Sequence, residues 1–327
     1  MNRGIELAWH SPLRFLLLPF SLIFSALALA RRKCYQTGLF TSEKAGVPVV
    51  IVGNITAGGA GKTPLVAALA AELEKRGMHP GIVSRGYGGS SRKPSPVSAS
   101  SDPSVSGDEP VLLASKGFPV WIGRKRADAA RQLLASCPDC DILISDDGLQ
   151  HLALKRDFEI AVVDGAKGFG NGLPLPAGPM REGISRLSTV DAIVVNSPGE
   201  LDLPLPRNVP RFDMRLHGDV FFDVDSPENS ASSFDGKRIH AIAGIGNPKR
   251  FFDHLESLGI DFIPHPFPDH HPYIAQDLSF ENCDIILMTE KDAIKCRGLA
   301  SGKCWFLPVR AEIDPQLAAL IMKTLGK

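Results

Sequence analysis

The sequence predicts an α/β protein: a doubly wound, mostly parallel sheet, a second and smaller α/β domain after it, and an apolar helix in front. Three observations predict this. Short apolar runs alternate with helical stretches between Pro48 and Val195, the pattern of parallel strands joined by crossover helices. A proline-rich crossing at residues 199–210 precedes a second such series that begins at Arg238. Phe15 to Ala30 is sixteen residues without a charge, set between Arg14 and Arg31-Arg32-Lys33.

The 327 residues are 44% apolar, enough for a sizeable core. The expected division is an N-terminal helix (1–34), a core domain (35–205) and a C-terminal α/β domain (206–327). Lys plus Arg, at 36, equals Asp plus Glu, so net charge gives no reason to expect a nucleic-acid partner. Six Cys are scattered, with Cys137-Pro-Asp-Cys140 the one close pair. Without a second pair at zinc-finger spacing it reads as an incidental loop pair in a reducing compartment.

The N-terminal apolar run is short for a full span, which takes about 20 residues. A secretory signal and a buried core helix are the alternatives. The basic residues that follow, and the lack of a small-x-small cleavage site, favour a helix lying in or dipping into the inner leaflet, its cations on anionic headgroups.

Pro48–Val52 reads as a buried strand, Thr56–Gly61 as a glycine-rich turn, and Thr63-Pro64-Leu65 as the start of a helix reaching Arg76. This is the layout of a nucleotide-phosphate loop and makes the sheet P-loop NTPase-like. Glycines let amides curl around an anion, and the helix points its positive end at it. Thr56, Ala57, Gly58, Gly59, Ala60, Gly61, Lys62 and Thr63 are the expected ATP contacts, with Lys62 on the β- and γ-phosphates and Thr63 on Mg²⁺. Thr56 stands where that pattern has its first Gly.

Gly81–Ser84 is a second short strand, leading to Arg85 and Tyr87. Ser90–Ser106 reads as a mobile loop. Asp108 and Glu109 open the next helix, where acids also suit the helix dipole. Pro119–Ile122 and Lys125–Ser136 follow as strand and helix. Asp141–Ser145 is a buried strand ending in Asp146-Asp147, a position from which Asp146 can hold Mg²⁺. Phe158–Val163 and Ala192–Val195 are further strands. Arg85, Tyr87 and Arg181 fall beyond strand ends, facing the crevice where such sheets bind ligands.

In the second half, Arg211–Asn229 reads as a few antiparallel strands. Arg238–Ala243, Asp261–Pro264 and Asp284–Met288 read as strands, with a helix near Pro248–Leu258 and a final strand and helix in Lys303–Lys327. Asp269-His270-His271 offers a histidine beside an acid, suited to general-base chemistry or to a solvated loop. Thr289-Glu-Lys-Asp292 looks superficially like the guanine reader of GTPases, with its lysine one place late.

Together, Gly53–Pro64, Ser84–Gly88, Gly107–Pro110, Asp146–His151, Leu175–Glu182, Asp269–His271 and Thr289–Asp292 resemble the tetraacyldisaccharide 4′-kinases of lipid A biosynthesis, from the N-terminal helix almost to the C-terminus. The resemblance implies a membrane-associated kinase at the cytoplasmic face of the inner membrane. It implies transfer from ATP to the 4′-hydroxyl of a tetraacylated glucosamine disaccharide 1-phosphate, giving lipid IVA. It implies Asp108 as the base, supported by His270 or His271 (His270 preferred), and Mg²⁺ held by Thr63 and Asp146 with Glu109 nearby. Arg85, Tyr87 and Arg181 then contact the glycolipid, and no obligate protein partner follows. The reading from another class is a membrane-associated ATPase or GTPase switch acting on a protein partner.

Overall fold

A computed structural model describes residues 9–197, 199, 202–299 and 302–327. Residues 1–8 of the expected N-terminal helix, and 200–201 of the proline-rich crossing, lie outside them. Helix α1 (Leu13–Gln36) is followed by β1 (Val49–Gly53), α2 (Lys62–Lys75), β2 (Pro80–Ser84), β3 (Ser95–Val97), α3 (Asp108–Ser115), β4 (Val120–Ile122), α4 (Arg126–Ser136), β5 (Ile142–Ser145), β6 (Phe158–Asp164), β7 (Ala192–Asn196) and β8 (Arg211–His217). The strands from β8 through β7, β6, β1, β5 and β2 to β4 pair in parallel, with β3 antiparallel at one edge.

All five residues of β1 are buried, because helices cover both faces of the sheet. Strand pleating sends alternate residues to opposite sides. Val50 and Val52 join Leu65, Leu69 and Leu73 of α2 in one apolar layer, while Val49 and Ile51 join Ala130 and Leu133 of α4 in the other. The phosphate loop therefore springs from a fully buried inner strand, and its neighbour β5 delivers Asp146 and Asp147.

A second sheet contains β9 (Phe221–Asp223), β10 (Ser230–Ala231), β11 (Ile239–Ala243), β12 (Ile263–Pro266), β13 (Ile285–Thr289) and β14 (Cys304–Leu307), in the order β10-β9-β14-β13-β11-β12. Helices α5 (Pro248–Ser257) and α6 (Glu290–Cys296) belong to this lobe. The chain then returns. Strand β15 (Arg310–Ile313) pairs antiparallel with β8 at the edge of the first sheet, and α7 (Pro315–Leu325) packs its Leu317 and Ile321 into the first sheet's core.

This topology corrects several expectations. Of the strands expected in Arg211–Asn229, β9 pairs antiparallel with β10, but Arg211–His217 joins the first sheet instead, parallel to β7 and antiparallel to β15, with Met214 buried in the first core. The C-terminal segment supplies two strands to two different sheets. The strands of the second sheet lie between Phe221 and Leu307. The strand expected at 261–264 is displaced to Ile263–Pro266. Ser90–Ser106 is more ordered than a mobile loop: it holds β3 and a helical turn, Pro103–Ser106, capped by Asp102 on Ser104 N.

Helix α1 lies against the first lobe. Its buried Ser21 donates to Pro174 O (2.9 Å) and accepts from Ala177 N (3.0 Å), and Trp9 donates to Pro176 O. Leu13, Phe15, Leu16, Phe20, Leu22, Ile23, Leu27 and Leu29 remain exposed. The basic end divides differently from expectation: Arg31 donates to Gln150 O and Arg32 to Thr189 Oγ1, so both guanidiniums turn onto the protein.

Candidate active site

The two lobes meet at a cleft of about 2000 Å³ that the phosphate loop, α1, α3, α5 and the start of α6 all line. Gly58 (φ +108°) and Gly61 (φ +89°) supply left-handed backbone to the loop. Thr56 pairs in a β-bridge with Met180, so an extended residue stands where other loops have glycine. Asn196, at the end of β7, donates to Ala60 O (3.0 Å) and packs so closely that a Cβ on Gly61 would lie 2.3 Å from its Nδ2. No side chain caps α2, whose first amides are left for a ligand. Gly61→Ala therefore meets both a strained φ and a clash. Isothermal titration is expected to show nucleotide affinity reduced at least about tenfold, with thermal unfolding lowered by a few degrees.

Lys62 Nζ lies 3.2 Å from Asn54 Oδ1 and 3.5 Å from Asp147. Asp147, at φ +46°, also accepts two bonds of 3.0 Å from Arg181. Burial favours its neutral form, but the charges of Lys62 and Arg181 outweigh burial and hold its carboxyl at about 2. Its neighbour is the opposite case. Asp146 is 1% exposed, and neither of its oxygens has a partner. Burial, then the charge of Glu109, pushes its carboxyl up. Arg126 donates to the main-chain oxygens of both aspartates (2.9 Å each), fixing the turn without neutralising Asp146 directly.

An orphaned buried carboxylate beside a second acid fits a hard divalent cation. Among the described residues no group of three or more His, Cys, Asp or Glu has metal-holding geometry. The donor set suits Mg²⁺, which takes one or two carboxylates and completes its shell with phosphate and water.

Across the cleft, His270 (φ +60°) donates from Nδ1 to both oxygens of Asp108, at 3.0 and 2.9 Å. His271 turns away, its Nε2 3.0 Å from Asp277. The geometry thus selects His270 over His271 as the partner of Asp108. Tyr87 packs on the His270 ring, with centroids 5.1 Å apart. Burial would raise the Asp108 carboxyl, yet the His270 hydrogen bond and the charge of Lys291 hold it below its ordinary value. Asp108 is only 3% exposed, whereas Glu109 and His270 line the cleft. Arg85 lines it as an exposed side chain.

A profile of the tetraacyldisaccharide-1-P 4′-kinase family matches residues 13–326. The chain belongs to this family. It is 48% identical over 331 residues to the tetraacyldisaccharide 4′-kinase of Methylobacillus flagellatus, covering 100% of this chain and 97% of that protein. It is 49% identical over 322 residues to the Azoarcus sp. enzyme, covering 97% and 94%. The crystal structure of LpxK from Aquifex aeolicus, in complex with ATP, superposes with a TM-score of 0.80 at 29% identity, over 96% of this chain and 99% of that one.

For this member of the kinase family, the structure brings the phosphate loop, Tyr87, Glu109, Arg181 and His270 to one cleft, with Asp108 buried behind His270 and Asp146 buried beside Asp147. Four other residues there carried little signal. Asn196 ends an ordinary apolar strand, Arg126 sits in unremarkable sequence, and His151 closes the Asp146–His151 motif without a role of its own there. Lys291 lay inside the guanine-reader look-alike, but the structure uses that motif differently. Asp292 accepts from Gly244 N and Thr289 Oγ1, and its amide is capped by Thr289, so it builds a loop and a helix start rather than reading a base.

His151 gives a pH prediction. Burial, then the charges of Arg126 and Arg156, lowers its imidazole to about 3. An unfolded histidine titrates near 6.5. Between those values the unfolded chain binds a proton that the folded chain refuses, so stability falls as pH drops from about 6.5 toward 3. The Tm of His151→Asn is expected to fall less than wild type between pH 7 and 4; parallel curves would refute this.

Proposed function

We propose that the chain transfers the γ-phosphate of ATP to the 4′-hydroxyl of a tetraacylated glucosamine disaccharide 1-phosphate, giving lipid IVA in lipid A biosynthesis. The observation that carries this reading is that His270, hydrogen-bonded to the buried Asp108, lines one cleft with the phosphate loop and with Phe24, Leu27 and Ala28 of α1. The loop amides and Lys62 bind the β- and γ-phosphates, and Arg181 exchanges Asp147 for phosphate charge. Thr63 and Asp146, with Glu109, would hold Mg²⁺, which supplies charge neutralisation at the phosphoryl oxygens when bound. The acceptor oxygen attacks phosphorus in line, the bond to the β-phosphate oxygen breaks, ADP leaves, and the hydroxyl proton passes to Asp108 late in the step. Arg85 and Tyr87 orient the sugar. Little covalent help is needed, because positioning and electrostatics supply most of the rate.

Helix α1 supports a membrane role at the cytoplasmic face of the inner membrane. It has 24 residues, and its apolar 18-residue window has a mean hydropathy of 2.1 with 6% of it buried. Each large side chain it inserts is worth about 1.5–3 kcal/mol. Replacing Phe15, Leu16, Phe20 and Ile23 by serine is expected to cut sedimentation with anionic vesicles at least about tenfold. Unchanged partitioning would remove α1 from the membrane contact.

The test of function is label transfer. With [γ-³²P]ATP and the disaccharide 1-phosphate, label is expected in a glycolipid resolved by thin-layer chromatography. Nucleotide turnover without acceptor, stimulated instead by another protein, would favour a switch ATPase.

A further inference from the structure

The Thr289–Asp292 motif leaves one member without a role in the account above. Lys291, the second residue of α6, belongs to the second lobe, yet its ammonium crosses to the first. Nζ lies 3.2 Å from Glu109 and 3.8 Å from Asp108 on α3, and 3.4 Å from Asp269 in its own lobe. It is also 3.5 Å from His270 Nε2. Lys291 thus lies within 4 Å of Asp108, its histidine partner and Glu109 together. Its neighbour Lys295 approaches Asp108 less closely (3.9 Å) and is committed to Asp292 at 2.9 Å.

The surrounding contacts explain how the ammonium is held. Thr289 caps α6, and Asp292 ties the same turn to Gly244, so the helix start is fixed to the end of β11. Lys116 of α3 pairs with Glu290 alongside, a separate ionic link between the same two helices. Lys291 lines the same cleft as Lys62. Three carboxylates around one half-buried ammonium make removal of that charge more disruptive to their arrangement than removal of an exposed rim cation.

We propose that Lys291 is a positioning residue for phosphoryl transfer: reaching across the lobe interface, it sets the Asp108–His270 pair and Glu109 in the arrangement that accepts the sugar hydroxyl. This rests on the kinase reading above. Because Lys291 belongs to the second lobe, the acceptor side of the site is complete only while α6 is docked on α3. Lys62 serves the donor phosphates; Lys291 serves the carboxylates that meet the acceptor.

The experiment is a double-mutant cycle on the full chain, with kcat and KM measured by label transfer for wild type, Lys291→Met, Asp108→Ala and the double variant. Lys291→Met is expected to lower kcat at least about 30-fold, with KM for ATP within about threefold of wild type. In the Asp108→Ala background the same change is expected to cost less than about threefold, the non-additivity of residues that act as a unit. Glu290→Gln, which breaks the parallel link, is expected to keep kcat within about threefold. Melting curves establish that each variant folds, with Lys291→Gln in reserve if the methionine variant does not. Multiplicative losses in the cycle, a near-normal kcat for Lys291→Met, or an equal loss from Glu290→Gln would each overturn the proposal. Absence of label transfer by wild type would instead overturn the kinase reading itself.

Discussion

Asp108→Ala is expected to lower kcat by about 10²–10⁴-fold, the usual worth of a positioned general base, with KM for ATP nearly unchanged. The carboxylate is held ionised in spite of burial by the His270 hydrogen bond and the charge of Lys291, which is the state a proton acceptor must have. It opens α3, so the chain fixes its Cα on a helix, while His270 fixes its carboxyl plane through two contacts. The near-complete burial of Asp108 makes a comparison informative. If Asp108 takes the proton, Asp108→Ala loses more than His270→Ala. If His270→Ala is the worse variant and Asp108→Ala is mild, the proton passes to the imidazole and Asp108 only orients it. A change confined to KM for the acceptor would make Asp108 a substrate-positioning group.

Lys62→Ala is expected to cost at least about 10²–10³-fold in kcat, the scale of losing one charge-stabilising donor aimed at a developing oxyanion, and to weaken ATP binding as well. The fold should survive. Lys62 begins α2 and its ammonium meets Asn54 and Asp147 at the cleft, whereas the helix is held by Leu65, Leu69 and Leu73 in the core. Without Lys62, Asp147 keeps Arg181 as its partner, so the ligand-free site loses one ion pair and no packing. Near-normal phosphorylation by this variant would remove the loop from the mechanism.

Much of the first lobe was legible because its signals are local. A buried apolar strand, positive-φ glycines and a helix start lie within fifteen residues, and the alternation of strands and helices announces a parallel sheet. Contacts made across the lobes were not legible. Nothing near Lys291 in sequence says that its ammonium meets Glu109, 182 residues away. The choice between His270 and His271 was equally hidden, since it depends on a left-handed backbone at His270 and on Asp277 claiming the other ring. The sheet membership of β8 and β15 failed for a related reason. Both have mixed burial, β15 lies at the sheet edge, and pairing between residues about a hundred apart leaves no periodic mark. The basic end of α1 misled because Arg31 and Arg32 look the same in sequence whether they face headgroups or the carbonyl of Gln150 and the hydroxyl of Thr189.

The central claim is that the Thr56–Thr63 loop grips a triphosphate opposite Asp108. The most direct measurement is a crystal structure of the full chain with Mg²⁺ and a non-hydrolysable ATP analogue. The account predicts β- and γ-phosphate oxygens within about 3 Å of the loop amides and of Lys62 Nζ, the ammonium having left Asp147, with the γ-phosphate turned toward Asp108 and His270. A triphosphate bound elsewhere, or a loop still closed on Asp147 with nucleotide present, would contradict it.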